Sequence, residues 1–158
     1  MTRTTEYLEH KGIPFEVVVH PKAFTSIEEA RALGIDAHEV VKALLVDTRW
    51  GHVLAVIPGD CRLDMKLVEE AVGDHHAHLA TEGEVQHDLP EFELGSLPPL
   101  GTLLDMPTFV DAEVMRHETV VFAAGSQTES VKAAVNDLFD RERVTVAPLT
   151  RHPQDEYV

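Results

Sequence analysis

Val40-Val41-Lys42-Ala43-Leu44-Leu45-Val46, followed by Arg49-Trp50-Gly51 and then Val53-Leu54-Ala55-Val56-Ile57, reads as two apolar strands joined by a tight turn. β-Branched and aliphatic residues dominate both runs, and each is too short for a helix of ordinary length. The pair is expected to form an antiparallel hairpin in the core. Lys42 is the anomaly within it, because an ammonium inside an apolar run must be paired, stand at a cleft, or point to a wet face. Two readings stay open: an outward-pointing lysine on a half-solvated strand, and a lysine that meets an anionic group such as a phosphate from a rigid strand.

Outward from the hairpin, helices and strands interleave. Thr5 to Lys11 reads as a helix stopped by Gly12, and Phe15 to Val19 as a strand broken by His20-Pro21. Thr25 and Ser26 offer N-caps for a helix from Ile27 to Leu33, with Glu29 completing a capping box and Gly34 closing it. Asp64 caps a helix from Met65 to Val72 that ends at Gly73, and Thr81 caps a short one towards His87. Gly95 to Gly101 (GSLPPLG) reads as a fixed loop. Thr108 to Val110, Thr119 to Ala123, Glu129 to Lys132 and Val144 to Val146 are further strands, and Ala134 to Asp140 is helical. Interleaved elements with several hairpins predict a mixed α+β fold, in which a mixed sheet carries flanking helices. The 158 residues suit one domain spanning 1–158.

Composition narrows the function. There are 28 acidic residues against 13 basic ones, a formal net charge of −15. Residues 1–59 carry 8 acids and 6 bases, whereas residues 60–110 carry 11 and 2. Long nucleic acid is held by Lys and Arg, so DNA is an unexpected partner, while one nucleotide end could still bind the near-neutral N-terminal part. No apolar run is long enough for a membrane helix, and the N-terminus does not read as a signal peptide. A single cysteine, Cys61, excludes an internal disulfide and agrees with a reducing cytoplasm.

Few residues announce chemistry. The glycines and prolines of 95–101 leave amide donors free to meet a ligand or a developing oxyanion, although an ordinary surface turn has the same composition. Ala123-Ala124-Gly125-Ser126-Gln127-Thr128 is a second small-residue platform, with no nucleophile-elbow spacing. His75-His76-Ala77-His78 follows a helix-ending glycine and lacks a zinc-enzyme pattern, so it reads as a solvated turn. His20 stands beside a proline where a strand ends, as a site residue or a turn residue. Cys61 reads as a buried, inert thiol.

Seven pieces in order carry a resemblance: GIPFEVVVHP (12–21), AFTSIEEARALGI (23–35), VVKALLV (40–46), VLAVIPGDCRLDMKLVEEAVG (53–73), GSLPPLG (95–101), TFVD (108–111) and VVFAAGSQTESVK (120–132). Together they resemble the YbaK/ProX superfamily of aminoacyl-tRNA editing domains over roughly residues 5–147. The resemblance implies a mixed, partly barrel-like sheet wrapped by helices, with a pocket for the 3′ end of a charged tRNA. It implies hydrolysis of the ester that joins a wrong amino acid to that end, free-standing or as a domain inserted in prolyl-tRNA synthetase, with an aminoacyl-tRNA synthetase as a partner that could supply the grip on the tRNA body.

The family lysine falls on Lys42, the Gly-x-x-x-Pro motif on Gly95 and Pro99, with Gly101 two further on, and the small-residue turn on Ala123 to Gly125. Lys42 is expected to hold the terminal nucleotide, amides around Gly101 to polarise the ester carbonyl, and His20, Phe24 and Thr25 to wall the pocket. Water would attack with help from a ribose hydroxyl, and neither metal nor cofactor is required. The chain departs from the pattern at Ala123, where some members carry serine, and at Gln127, where others carry histidine. Those departures bear on specificity first and leave a non-catalytic binding module of the same fold as the alternative.

Overall fold

The computed structural model describes residues 2–141 and 143–151. Helix α1 (Arg3–His10) starts at Thr2, whose hydroxyl accepts from Thr5 N at 3.2 Å, and leads to strand β1 (Glu16–Val19). Helix α2 (Ser26–Leu33) ends at Gly34 in the left-handed region. Strands β2 (Val41–Thr48) and β3 (Gly51–Pro58) form the expected hairpin, pairing from Val41↔Pro58 to Thr48↔Gly51. Then come β4 (Arg62–Leu63), α3 (Met65–Val72), β5 (His78–Leu79), α4 (Glu82–Asp88) and the short α5 (Gly101–Leu104). Strands β6 (Thr108–Asp111), β7 (Thr119–Ala123) and β8 (Glu129–Ala134), helix α6 (Val135–Arg141), β9 (Val144–Ala147) and β10 (Thr150–Arg151) complete the chain.

The mixed α+β architecture is the expected one. The largest sheet runs β5-β2-β3-β6-β9, with β3, β6 and β9 mutually parallel and the remaining pairs antiparallel. A second sheet runs β1-β8-β7, and β10 pairs with β4. A bridge between Val40 and Val121 joins the two larger sheets, and Val121 N donates to Glu39 O at 3.0 Å. The sheets therefore wrap part-way round a core without closing into one barrel.

Strand periodicity explains where that core sits. On β3, Leu54 and Val56 face a large cluster with Leu8, Phe92, Leu100, Phe122, Val131 and Leu138. Val53, Ala55 and Ile57 point to the opposite face and pack with Val68 and Leu149. A strand buried on both faces needs a continuous apolar run, which is what 53–57 supplies.

Two local expectations are corrected. Ser26 does not open a capping box with Glu29: Thr25 is the N-cap, its hydroxyl accepting from Glu28 N at 3.1 Å. That one-residue shift frees the Glu29 side chain to turn inward, where it is buried. Gly101 also lies in helix α5 rather than at the end of an open loop.

Asp111 locks the far end of the large sheet. Its carboxylate is buried and accepts from Leu149 N at 2.9 Å, Thr150 Oγ1 at 2.8 Å and Glu113 N at 2.8 Å. Replacing it with alanine removes the acceptor from all three donors. Asp111→Ala is expected to lower unfolding free energy by about 3 kcal/mol in urea titration, with Asp111→Asn milder because it keeps one acceptor oxygen.

Candidate functional site

A cavity of about 330 Å³ opens beside β2. Its origin is a short neighbour: β5 pairs only with Val46 and Asp47, so among the described residues the edge of β2 from Lys42 to Leu44 has no strand paired to it and becomes a wall. Ala80 N donates to Leu45 O at 2.9 Å, which fixes the direction of that edge. By antiparallel alternation the backbone N–H and C=O of Ala43 point the same way, towards the cavity. Phe24, Thr25 and Ser26 line it as well, with Glu82 and Val85 of α4 and Leu94, Gly95 and Leu97 as its cover, and Ala123 is also part of the lining.

The structure thus brings Lys42, Phe24, Thr25, Gly95 and Ala123 to one cavity. Lys42 is half-buried, and its Nζ donates to Gly59 O at 3.4 Å. Burial lowers its pKa below the ordinary lysine value, while the nearby Cys61 and Asp60 act in the opposite direction. The loop residue Gly95 has φ +77°, and a Cβ there would lie 2.1 Å from Phe24 O. Glycine is needed at that position for both its conformation and its close approach, and it pins the roof to the Phe24 wall. The Phe24 ring is 46% exposed at the rim, with Lys22 Nζ 5.6 Å from its centroid.

The other expected residues lie behind or away from this lining. Pro99 is buried in the loop, and Gly125 backs onto Phe92, whose ring a Cβ would meet at 2.9 Å. Gly101 is buried against Thr108, where a Cβ would fall 1.7 Å from Oγ1, so packing alone requires glycine. Gln127 is buried; its Nε2 donates to Leu94 O at 2.9 Å, its backbone O accepts from Ala23 N at 2.8 Å, and its N donates to Glu93 at 3.2 Å. It fastens two walls together.

His20 is buried behind the cavity yet connected to it. Its Nδ1 lies 2.7 Å from Pro21 O and its Nε2 2.7 Å from Ser130 Oγ, and Ser130 in turn hydrogen-bonds the Glu29 carboxyl group. Glu29 is a lining residue. A carbonyl can only accept, so Nδ1 must carry hydrogen. Two proton arrangements then satisfy the chain. In one, an imidazolium donates from Nε2 to Ser130, which donates to the Glu29 carboxylate. In the other, a Glu29 carboxylic acid donates to Ser130, which donates to a neutral imidazole. They differ only by a shift of protons along the chain. Burial raises the Glu29 pKa, opposed by the Ser130 hydrogen bond and the His20 charge. The sequence concealed Glu29 because its spacing from Ser26 imitates a cap, and concealed Ser130 because it lies 101 positions from Glu29.

The chain is similar to several known proteins. A protein of Enterococcus faecalis, provisionally named Cys-tRNA(Pro)/Cys-tRNA(Cys) deacylase EbsC, is 27% identical over 113 residues, covering 66% of this chain and 64% of its own length. The proline–tRNA ligase of Thermotoga neapolitana is 34% identical over 94 residues, 60% of this chain but 16% of the ligase. The chain therefore spans less than two thirds of these curated relatives. A crystal structure described provisionally as a trans-editing enzyme for prolyl-tRNA synthetase superposes with TM-score 0.83 at 28% identity, covering 94% of this chain and 95% of that one. A hypothetical protein at 24% identity shares the fold, with TM-score 0.86 over 94% of this chain and 99% of its own. Residues 20–140 match the aminoacyl-tRNA editing domain family, and the chain belongs to it.

Proposed function

We propose that the protein is an aminoacyl-tRNA deacylase that hydrolyses the ester of mischarged tRNA in trans. The observation that carries this reading is one small, largely apolar cavity lined by both Lys42 and Glu29. At about 330 Å³ it suits an amino acid and part of the terminal nucleotide, not a tRNA body. The acidity of the chain also argues against a broad tRNA interface of its own. The relatives among proline–tRNA ligases favour a synthetase, that for proline first, as the partner that presents the tRNA. A substrate of translation favours the cytoplasm as the site of the reaction.

In the proposed step, Lys42 holds a phosphate of the 3′-terminal nucleotide and the exposed Phe24 ring stacks on its base. Water attacks the ester carbonyl carbon while the Glu29 carboxylate, held by the Ser130 hydroxyl, takes a water proton that it later returns to the leaving ribose oxygen. The Ala43 N–H, on the open edge of β2, donates to the developing oxyanion. Collapse breaks the bond to the ribose oxygen, which leaves with the proton. One water is consumed, and an amino acid and a free ribose hydroxyl are formed.

Purified protein incubated with tRNA(Pro) charged with cysteine, alanine or proline, and with their cognate pairs, is expected to deacylate at least one. Lys42→Ala should reduce the single-turnover rate by about 10²-fold or more. Saturable binding of a non-hydrolysable aminoacyl-adenosine analogue without turnover of any pair would instead identify a non-catalytic module.

The base must be ionised to act. With a raised pKa, Glu29 loses its proton-accepting form as pH falls through a value above the ordinary 4.5. The rate should decline on acidification with that midpoint, and Glu29→Gln should remove the limb and lower the plateau about 10²-fold. Phe24→Ala, at the rim, should raise KM while sparing kcat at saturation.

A further inference from the structure

Near Lys42, three chain segments that the hydrolytic step does not use converge. The turn before β2 supplies His38, the turn after β3 supplies Asp60 and Cys61, and Glu113 and His117 flank the single turn of 3₁₀ helix at Val114–Arg116. His38 Nδ1 lies 2.8 Å from Asp60 Oδ1, and Cys61 Sγ lies 3.5 Å from that same oxygen. The three atoms all fall within 4.8 Å of one another.

We propose that His38, Asp60 and Cys61 form a binding site for one borderline divalent cation of the zinc or cobalt(II) type, with water completing a four-coordinate shell. A tetrahedral centre with Zn–N and Zn–O near 2.0 Å and Zn–S near 2.3 Å sets ligand atoms about 3.3–3.6 Å apart. The Cys61–Asp60 gap already has that value, and the His38–Asp60 gap must open by about half an ångström. The donor set of imidazole, carboxylate and thiol suits zinc or cobalt and disfavours magnesium or calcium, which take oxygen ligands.

The surroundings fit the same role. A metal-bound histidine commonly offers its other nitrogen to a carboxylate, and His38 Nε2 faces Glu113 Oε2 at 3.9 Å. Glu113 is itself held, with Arg116 Nη1 3.3 Å from its Oε1 and its backbone N bonded to Asp111. The His117 ring stands 5.0 Å from the His38 ring. Cys61 is buried, while His38 and Asp60 are part-exposed, so a cation and its water have access from one side. A divalent cation would stand between the Asp60 carboxylate and the Cys61 sulfur, and a coordinating thiol gives up its proton to solvent. This site is separate from the His75-His76-Ala77-His78 run.

The inference is independent of the hydrolytic reading, because the probe is the metal itself. The full chain is titrated with cobalt(II) and followed by absorbance. One equivalent is expected to bind, with a thiolate-to-cobalt charge-transfer band in the near ultraviolet and the intense visible bands of a four-coordinate ion. Zinc should displace it. Cys61→Ser should abolish the charge-transfer band, His38→Gln should weaken binding by at least 10-fold, and Glu113→Gln should weaken it by about 10-fold. A double change of His75 and His76 to glutamine should leave the spectrum unchanged. Absence of the charge-transfer band in the unaltered protein with cobalt in excess would overturn the proposal. So would binding that survives His38→Gln and disappears with His75 and His76.

Discussion

The unequal lengths of the strands on either side of β2 govern the rest of the structure. On one side β3 pairs with it over eight residues, from Val41↔Pro58 to Thr48↔Gly51. On the other, β5 covers only Val46 and Asp47. The long pairing fixes Lys42 opposite Ile57, two residues before Gly59, whose carbonyl receives the ammonium. The short pairing leaves main-chain groups of β2 facing the cavity, with no paired strand among the described residues. A rigid lysine and an open edge are thus products of one register, since a one-residue slip would carry Lys42 to the other face.

Within the cavity the electrostatics are asymmetric. Lys42 and Glu29 both resist ionisation because burial removes water from them, which lowers the one pKa and raises the other. Each is helped by different neighbours: Lys42 by Asp60 and Cys61, Glu29 by Ser130 and His20. The chain thereby keeps a cationic and an anionic group in one small space without pairing them to each other in the hydrogen bonds described. Such an arrangement suits a ligand that carries phosphate at one end and reacts at the other.

Much of this was legible from the residues in order. The hairpin, the caps at Asp64 and Thr81 and the glycine stops at Gly34 and Gly73 are local signals, and the structure has them where the sequence places them. Lys42 stood out because it breaks an apolar run. What was not legible depends on contacts across the chain. Glu29 satisfied a local rule and so hid a distant one. Gln127, His38 and Cys61 act through partners 22 to 104 positions away or through a fold-dependent turn, and nothing in their immediate neighbours advertises it. Gly101 shows a second limit: a glycine in a promising loop also answers to packing, since Thr108 leaves no room for a methyl group.

The open edge of β2 has a further consequence, in how molecules of this protein meet one another. An unpaired strand edge is a template for another strand, and proteins that expose one risk joining edge to edge. Here the edge is roofed by α4, a helix with no buried residue of its own, and by the loop carrying Gly95. The helix is tethered to the hairpin through His52 and Asp88, 3.0 Å apart, and through the part-buried Val85, which lines the cavity. Its contribution is therefore less to the stability of the core than to covering that edge: α4 and the Gly95 loop stand where a strand from another molecule would otherwise pair.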